Sequence, residues 1–331
     1  MNSAEAKSYR ALIGKQRKIV EQRIRKVFVN RKPRSLYEPS AYLLESGGKR
    51  LRPLLVLLSV KAVGGKFIQA YNAAVAVELL HNFTLVHDDI MDNADKRRGR
   101  FTLHKKYDTN TAILAGDSLL SIAYEYLLKD CNGNSKAILA SFTQGLIEVC
   151  EGQSLDKEFE LRNNVLLKEY LEMIRKKTAA MAEMCCSIGA QIGGGSKSEI
   201  KALESYGQNI GIAFQIQDDL LDITANEAEF GKVIGGDLIE GKKTYLFIKA
   251  FEKAKGEDRR KLFKVILNKG IGKQEVNEYK EIYGRLGVLD EAKKSVYHYT
   301  DVAINSLKSL RSKEDREIFK WIAYSLIERI S

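Results

Sequence analysis

Apolar side chains recur every three or four positions through nearly the whole chain, and no segment alternates apolar and polar residues as a half-buried strand does. That spacing predicts helices over Ala4–Asn30, Leu36–Ser46, Lys49–Val63, Phe67–Asn93, Asn110–Asp130, Ser135–Lys157 and Leu166–Ile192. It continues over Lys197–Asn226, Lys243–Lys255, Asp258–Asn268, Lys273–Leu286, Asp290–Leu310 and Lys313–Ile330. Glycines mark the breaks, at Gly47–Gly48, Gly64–Gly65, Gly133, Gly193–Gly195, Gly235–Gly236 and Gly270–Gly272. Proline occurs only at Pro33, Pro39 and Pro53, so no imide interrupts the later helices. The central helices are long enough to run the depth of one bundle, and no linker or low-complexity tract divides them. The expected fold is all-α, a single large helical bundle forming one domain over residues 1–331.

Composition narrows the class. With 44% apolar residues in 331, the chain can bury a sizeable core. Its best apolar run, Leu51–Val63, contains Arg52, Pro53 and Lys61. A membrane span takes roughly 20 apolar residues, so this run reads as a core helix. The segment Met1–Lys26 is polar and charged, without the apolar stretch of a signal peptide. Four cysteines show no metal-ligand spacing, which fits a reduced, cytoplasmic setting. The net charge of +11 invites a nucleic-acid reading. The cations are spread along the chain, however, with no zinc finger, RNP-like aromatic pattern or basic tail. Most read as solvated surface, and no nucleic-acid partner is expected.

One short pattern occurs twice: Asp88-Asp89-Ile90-Met91-Asp92 and Asp218-Asp219-Leu220-Leu221-Asp222. Aspartate is a poor residue inside a helix because its side chain competes for the backbone. The outer aspartates of each motif are four residues apart and project from one face, where like charges repel unless a cation lies between them. An exposed acidic helix end is the plain alternative, but the flanking apolar runs Leu79–Val86 and Ile210–Ile216 argue against exposure. Oxygen-only ligands on one face suit magnesium, which keeps waters and takes phosphate oxygens. Two such motifs would clamp a diphosphate through bridging metals.

Further cations stand at breaks and helix ends. Gly47-Gly48-Lys49-Arg50-Leu51-Arg52-Pro53 opens a helix after a glycine pair, offering free N–H groups with Lys and Arg donors. Arg97-Arg98-Gly99 follows the first aspartate motif, Lys176-Lys177-Thr178 lies mid-helix, and Lys232 and Lys242-Lys243-Thr244 follow the second motif. Singly these are ordinary surface charges; together they read as anion ligands. His81 precedes Asp88 by two helical turns, on the same face and about 10 Å away.

These residues resemble the trans-isoprenyl diphosphate synthases. The matching motifs run in order from about Ala41 to Ala250: Gly-Gly-Lys-Arg-Leu-Arg-Pro, Leu85 to Asp92, Arg97-Arg98-Gly99, Ala115-Gly116-Asp117, Gly152-Gln153, Lys177-Thr178-Ala179, Phe214 to Asp219, Gly231-Lys232, Gly236-Asp237-Leu238 and Gly241-Lys242. The segments before residue 40 and after residue 255 carry no such motif. The resemblance implies a helical fold around a deep central cavity, usually as a homodimer. It also implies that Asp88, Asp92, Asp218 and, in support, Asp222 hold about three magnesium ions. Arg97, Lys177, Lys232 and Lys242 would then contact the allylic diphosphate, with Thr178 and Gln215 lining the reacting end. Lys49, Arg52, His81 and Arg98 would bind isopentenyl diphosphate.

The implied reaction is head-to-tail condensation of these two substrates by ionisation, attack and deprotonation. Phe83 and Thr84, five and four residues before the first aspartate, resemble the chain-length position of archaeal-type geranylgeranyl diphosphate synthases. C20 is therefore the expected product, with C15 and C25 as near alternatives. A helical wheel favours Thr84 over Phe83 as the residue facing the carboxylates. Three other readings compete: a non-catalytic regulatory subunit, a terpene cyclase and a nucleic-acid binder. The intact aspartates and cations argue against the first, the Gly-Gly-Lys-Arg site against the second, and the paired aspartate motifs against the third. The C-terminal segment Asp315–Ser331 lacks the basic tail that closes the site in some relatives. If Phe83 sets chain length, Phe83→Ala lengthens the product; an unchanged product distribution on thin-layer analysis would defeat that assignment.

Overall fold

A computed structural model describes residues 3–45, 47–131, 133–225 and 234–327, and nearly all of them are helical. The chain gathers into two compact units. Helices α7 (Ser135–Leu161), α9 (Ala180–Ile192), α10 (Lys197–Thr224) and α16 (Lys313–Ile327) contribute residues to both. Among the described residues no helix is long and apolar enough to cross a membrane.

The first unit comprises residues 1–142, 185–200 and 310–315. It contains α1 (Ser3–Ile24), α2 (Arg34–Leu44), α3 (Leu51–Ala62), α4 (Tyr71–Met91), α5 (Leu103–Lys106) and α6 (Thr109–Leu128). Helix α3 is buried from Pro53 to Val60 without a break, as an all-round apolar helix must be. Its proline falls in the first turn, where no N–H is needed. Small residues on α6 (Ala112, Ala115, Gly116, Ala123) let it pack closely against α4. A Cβ at Gly116 would stand 2.4 Å from the His87 ring, so only glycine admits that histidine.

Arg50 ties this unit together. It caps α3 in the left-handed region (φ 50°) and is buried. Its guanidinium meets Glu21 of α1 at 2.7 Å and Glu78 of α4 at 2.5 Å, and donates to the Leu44 carbonyl at the end of α2. Four helices thus share one buried charge cluster.

The sequence pattern carries no sign of strands, yet two short ones follow the first aspartate motif. Strands β1 (Lys96–Arg97) and β2 (Arg100–Phe101) pair antiparallel, with Lys96 opposite Phe101. Arg98 (φ 52°) and Gly99 (φ 76°) form the two-residue turn, with the positive φ pair of a type I′ hairpin. Strands this short leave no alternating pattern to read.

The second unit comprises residues 143–184, 201–309 and 316–331. It holds α8 (Leu167–Ile174), α11 (Gly236–Ile239), α12 (Tyr245–Lys253), α13 (Gly256–Asn268), α14 (Val276–Arg285) and α15 (Val288–Ser306). Where the periodicity predicts one helix over Leu166–Ile192, the structure inserts a π-helical turn at Arg175–Ala179. Two glycines make room for it. A Cβ at Gly152 would lie 2.2 Å from the Lys177 backbone nitrogen, and one at Gly211 would lie 2.5 Å from the Ala179 Cα. The core is pinned by Tyr206, whose ring meets Phe319 edge-on at 4.8 Å and whose hydroxyl donates to the Phe319 carbonyl.

Removing Arg50 would leave Glu78 buried without its partner. Arg50→Ala should therefore cost about 3–5 kcal/mol of stability, measured by denaturant unfolding; a loss below about 1 kcal/mol, the range of an exposed pair, would contradict this account.

Candidate active site

In the first unit, α4 ends at the first aspartate motif. Asp88 is half-buried, Asp89 buried, and Asp92 exposed just beyond the last helical residue. The arrangement is electrostatically costly, because carboxylates in a last turn face the negative end of the helix dipole. Arg97, carried back by the hairpin, offsets part of the cost: its Nε donates to Asp89 at 2.7 Å and its Nη2 to Asp88 at 3.3 Å. Burial nevertheless pushes the Asp89 carboxyl above its ordinary range, with Arg97 pulling the other way. Asp89 is thus committed to Arg97. Arg97, expected to meet a diphosphate, is engaged with these carboxylates here.

The predicted isopentenyl-side cations assemble around α3 and α4. Arg52, in the first turn of α3, places Nη1 3.2 Å from His81 Nε2. Arg98 reaches from the hairpin turn and donates to the Gly47 carbonyl at 2.5 Å. Its position depends on Gly48 (φ 149°), since a Cβ there would touch the guanidinium at 3.0 Å. Lys49 is exposed. Burial, then the charges of Arg52, Arg98, Arg97 and Arg50, hold His81 well below 6.5. The imidazole is therefore neutral near pH 7, and its Nε2 accepts from Arg52. Arg52 and Arg98 thus both act on His81, while Lys49 is exposed just before α3.

About one turn before the aspartates stand the expected chain-length residues. The Phe83 ring packs on His87 at 4.6 Å, and its carbonyl lies 3.0 Å from His87 Nδ1. Thr84 donates to the His81 carbonyl. His87 Nε2 lies 3.6 Å from Asp117. The Gly116-Asp117 motif thus serves His87, first as space and then as a carboxylate.

In the second unit, a pocket of about 610 Å³, open to solvent, is lined by Lys177, Thr178, Gln215 and Lys242 of the predicted site, together with Asp156, Tyr170, Asp219 and Asp237. The π turn presents Lys177, whose Nζ donates to Asp156 at 2.5 Å, and Thr178, whose hydroxyl donates to Gln215 Oε1 at 2.9 Å. Lys242 pairs with Glu240 at 2.7 Å and lies 3.8 Å from Asp237. Asp218 and Asp222 are half-buried on α10 and do not line this pocket. Asp222 accepts from the Asp237 N–H at 3.2 Å. Lys232 lies outside the described residues.

Sequence reasoning assigns no role to Asp219, Tyr170, Asp156 or Asp237. Asp219 is buried, and burial together with the Asp237 charge raises its carboxyl, while the three donors on its oxygens, from Tyr170, Tyr245 and Gln215, favour the ionised form. The signal for Tyr170 is a spacing of seven, two helical turns before Lys177.

The donor chemistry fits magnesium. Among the described residues no cluster of three or more His, Cys, Asp or Glu side chains forms a closed cage. Each motif instead supplies outer carboxylates one turn apart. Magnesium accepts such sparse protein ligation, because water and substrate phosphate complete its octahedron.

The family model described as polyprenyl synthetase matches residues 33–286. A geranylgeranyl diphosphate synthase of Sulfolobus acidocaldarius is 43% identical over 89% of this chain and 91% of its own. A short chain isoprenyl diphosphate synthase of Methanothermobacter thermautotrophicus is 41% identical over 96% and 98%. The crystal structure of geranylgeranyl pyrophosphate synthetase from Pyrococcus horikoshii superposes with a TM-score of 0.89 at 37% identity, covering 98% of this chain and 99% of that one.

The depressed His81 carries a pH signature. Its folded-state pKa lies below the unfolded value of 6.5, so its contribution to stability is complete above 6.5 and is lost as pH falls below it. His81→Gln should flatten that part of the stability–pH curve; a variant losing stability as steeply as wild type below pH 6.5 would exclude His81 as the source.

Proposed function

Because the chain belongs to the polyprenyl synthetase family, we propose that it is a magnesium-dependent prenyltransferase that condenses isopentenyl diphosphate with an allylic diphosphate to give geranylgeranyl diphosphate. One observation carries the reading: helix α4 bears both the Asp88/Asp92 pair and, two turns earlier, the histidine that completes the Arg52–His81–Arg98 group. His81 and Asp88 are seven residues apart on that helix, about 10 Å, which supports an anion site beside a pair of metal-binding carboxylates. The name of the relative at 43% identity, a geranylgeranyl diphosphate synthase, supports the C20 product, and that of the relative at 41%, a short chain isoprenyl diphosphate synthase, supports prenyl transfer.

In this reading Lys49, Arg52, His81 and Arg98 hold isopentenyl diphosphate, and neutral His81 donates or accepts without adding charge. Arg97, Lys177, Lys242 and, from the sequence, Lys232 hold the allylic diphosphate. Asp88, Asp92, Asp218 and Asp222 would hold magnesium, which would supply positive charge toward a departing diphosphate. The allylic C–O bond breaks and its electron pair leaves with diphosphate. The isopentenyl double bond forms the new C–C bond to the allylic carbon, and the proton lost from the resulting cation passes to the released diphosphate. Thr178 and Gln215 line the reacting end, where positive charge develops and oxygen lone pairs stabilise it. No side-chain nucleophile is needed. We further take the chain to work as one catalytic domain, as a homodimer, in the cytoplasm.

The test is incubation with magnesium, radiolabelled isopentenyl diphosphate and C5, C10 or C15 allylic primers, followed by product sizing. A C20 product is expected, absent with EDTA and in Asp88→Ala. No product with any primer would overturn the assignment.

A further inference from the structure

Asp219 is adjacent to a proposed metal ligand, yet its oxygens are already committed within the second unit. Oδ2 accepts from the Tyr170 hydroxyl and from the Tyr245 N–H at 3.0 Å. Oδ1 accepts from Gln215 Nε2 at 3.2 Å. Asp219 is 5% exposed and Tyr170 is 2% exposed, so protein donors rather than bulk water satisfy this carboxylate.

The consequence follows from counting donors and acceptors. Asp219 Oδ1 offers Gln215 a lone pair, so the amide must turn its NH2 toward it. Only Oε1 then remains for Thr178, and the Thr178 hydroxyl donates to it at 2.9 Å. A hydroxyl that gives its proton to Gln215 keeps its lone pairs for the pocket it lines. If the amide were reversed, its NH2 would face Thr178, and the threonine proton would swing toward the pocket instead. The local dipole would change sign at the point where an allylic cation forms.

We propose that Asp219, anchored by Tyr170 and the Tyr245 N–H, is a positioning residue that fixes the Gln215 amide so that Thr178 presents oxygen lone pairs to the reacting allylic group. This rests on the prenyl-transfer reading above. It assigns Asp219 and Tyr170 a part distinct from metal binding: the relay runs Tyr170, Asp219, Gln215, Thr178, and only its last two members act at the reacting end.

A charge-preserving swap tests it. Asp219→Asn places an NH2 against the Gln215 NH2, and Gln215→Glu places a carboxylate against Asp219. Each should lower kcat on the order of 100-fold, the loss typical of one misoriented group, with KM for the allylic diphosphate unchanged. In the double variant carrying both substitutions, the new amide at position 219 donates its NH2 to the new carboxylate at position 215. That carboxylate accepts from Thr178, and the amide oxygen at position 219 still accepts from Tyr170 and the Tyr245 N–H. Most of the lost kcat should return, and the thermal midpoint, lowered in each single variant, should return with it. A double variant no better than Asp219→Asn in kcat overturns the proposal, because a metal ligand or a purely structural carboxylate is not rescued this way. Recovery of the midpoint without recovery of kcat also overturns it, leaving the contact as scaffold alone. A wild-type chain inactive on prenyl diphosphates would count against the functional reading, and the midpoints alone would then decide whether Asp219 sets Gln215.

Discussion

Carboxylates that must remain charged are carried here at the ends of helices that are otherwise apolar, and much of the architecture answers that constraint. Helix α4 is buried from Ala73 to Leu80 and then delivers Asp88, Asp89 and Asp92 where its own dipole disfavours them. The chain compensates locally. A tight hairpin returns Arg97 to Asp88 and Asp89, and the same turn sends Arg98 back to the glycine pair before α3. In the other unit, Asp219 is satisfied by hydrogen-bond donors rather than by a cation, while Asp222 takes a backbone N–H. Each motif has its middle carboxylate held by protein donors, and the outer pair is proposed to carry the metal.

Buried charge also organises the first unit. Arg50 lies in the Gly-Gly-Lys-Arg run between two residues proposed to bind substrate, but it points inward to Glu21, Glu78 and the end of α2. Adjacent cations in one motif thus differ, with Arg50 toward the core, Arg52 toward His81 and Lys49 exposed. The left-handed backbone at Arg50 turns it away from its neighbours.

The long helices were legible because periodicity over many residues survives local irregularity. The aspartate motifs stood out because Asp is unfavourable inside a helix, and the cations because they gather at glycine breaks and beside those motifs. Short features were not. Strands β1 and β2 and helices α5 and α11 are too brief to show a period, although Arg98-Gly99 carries the glycine that a tight hairpin turn favours. The π turn was invisible, because inserting one residue into a helix changes no residue type. The inward role of Arg50 and the relay through Asp219 were hidden for another reason: both are defined by partners distant in sequence.

The π turn has a consequence for how this stretch of chain tolerates change. A π turn takes up one extra residue within a single turn, so the helical segments on either side of it keep their facing. Tyr170, Met173 and Ile174 are buried before it, and Met181, Met184 and Ile188 after it. Losing one residue within Arg175–Ala179 would return the turn to regular α-helix with Met184 and Ile188 still inward, whereas losing one elsewhere in α8 or α9 would rotate the downstream residues by about 100° and expose them. Substitutions are absorbed side chain by side chain, whereas length here is quantised, and Gly152 and Gly211 hold the vacant volume that keeps the extra residue in place.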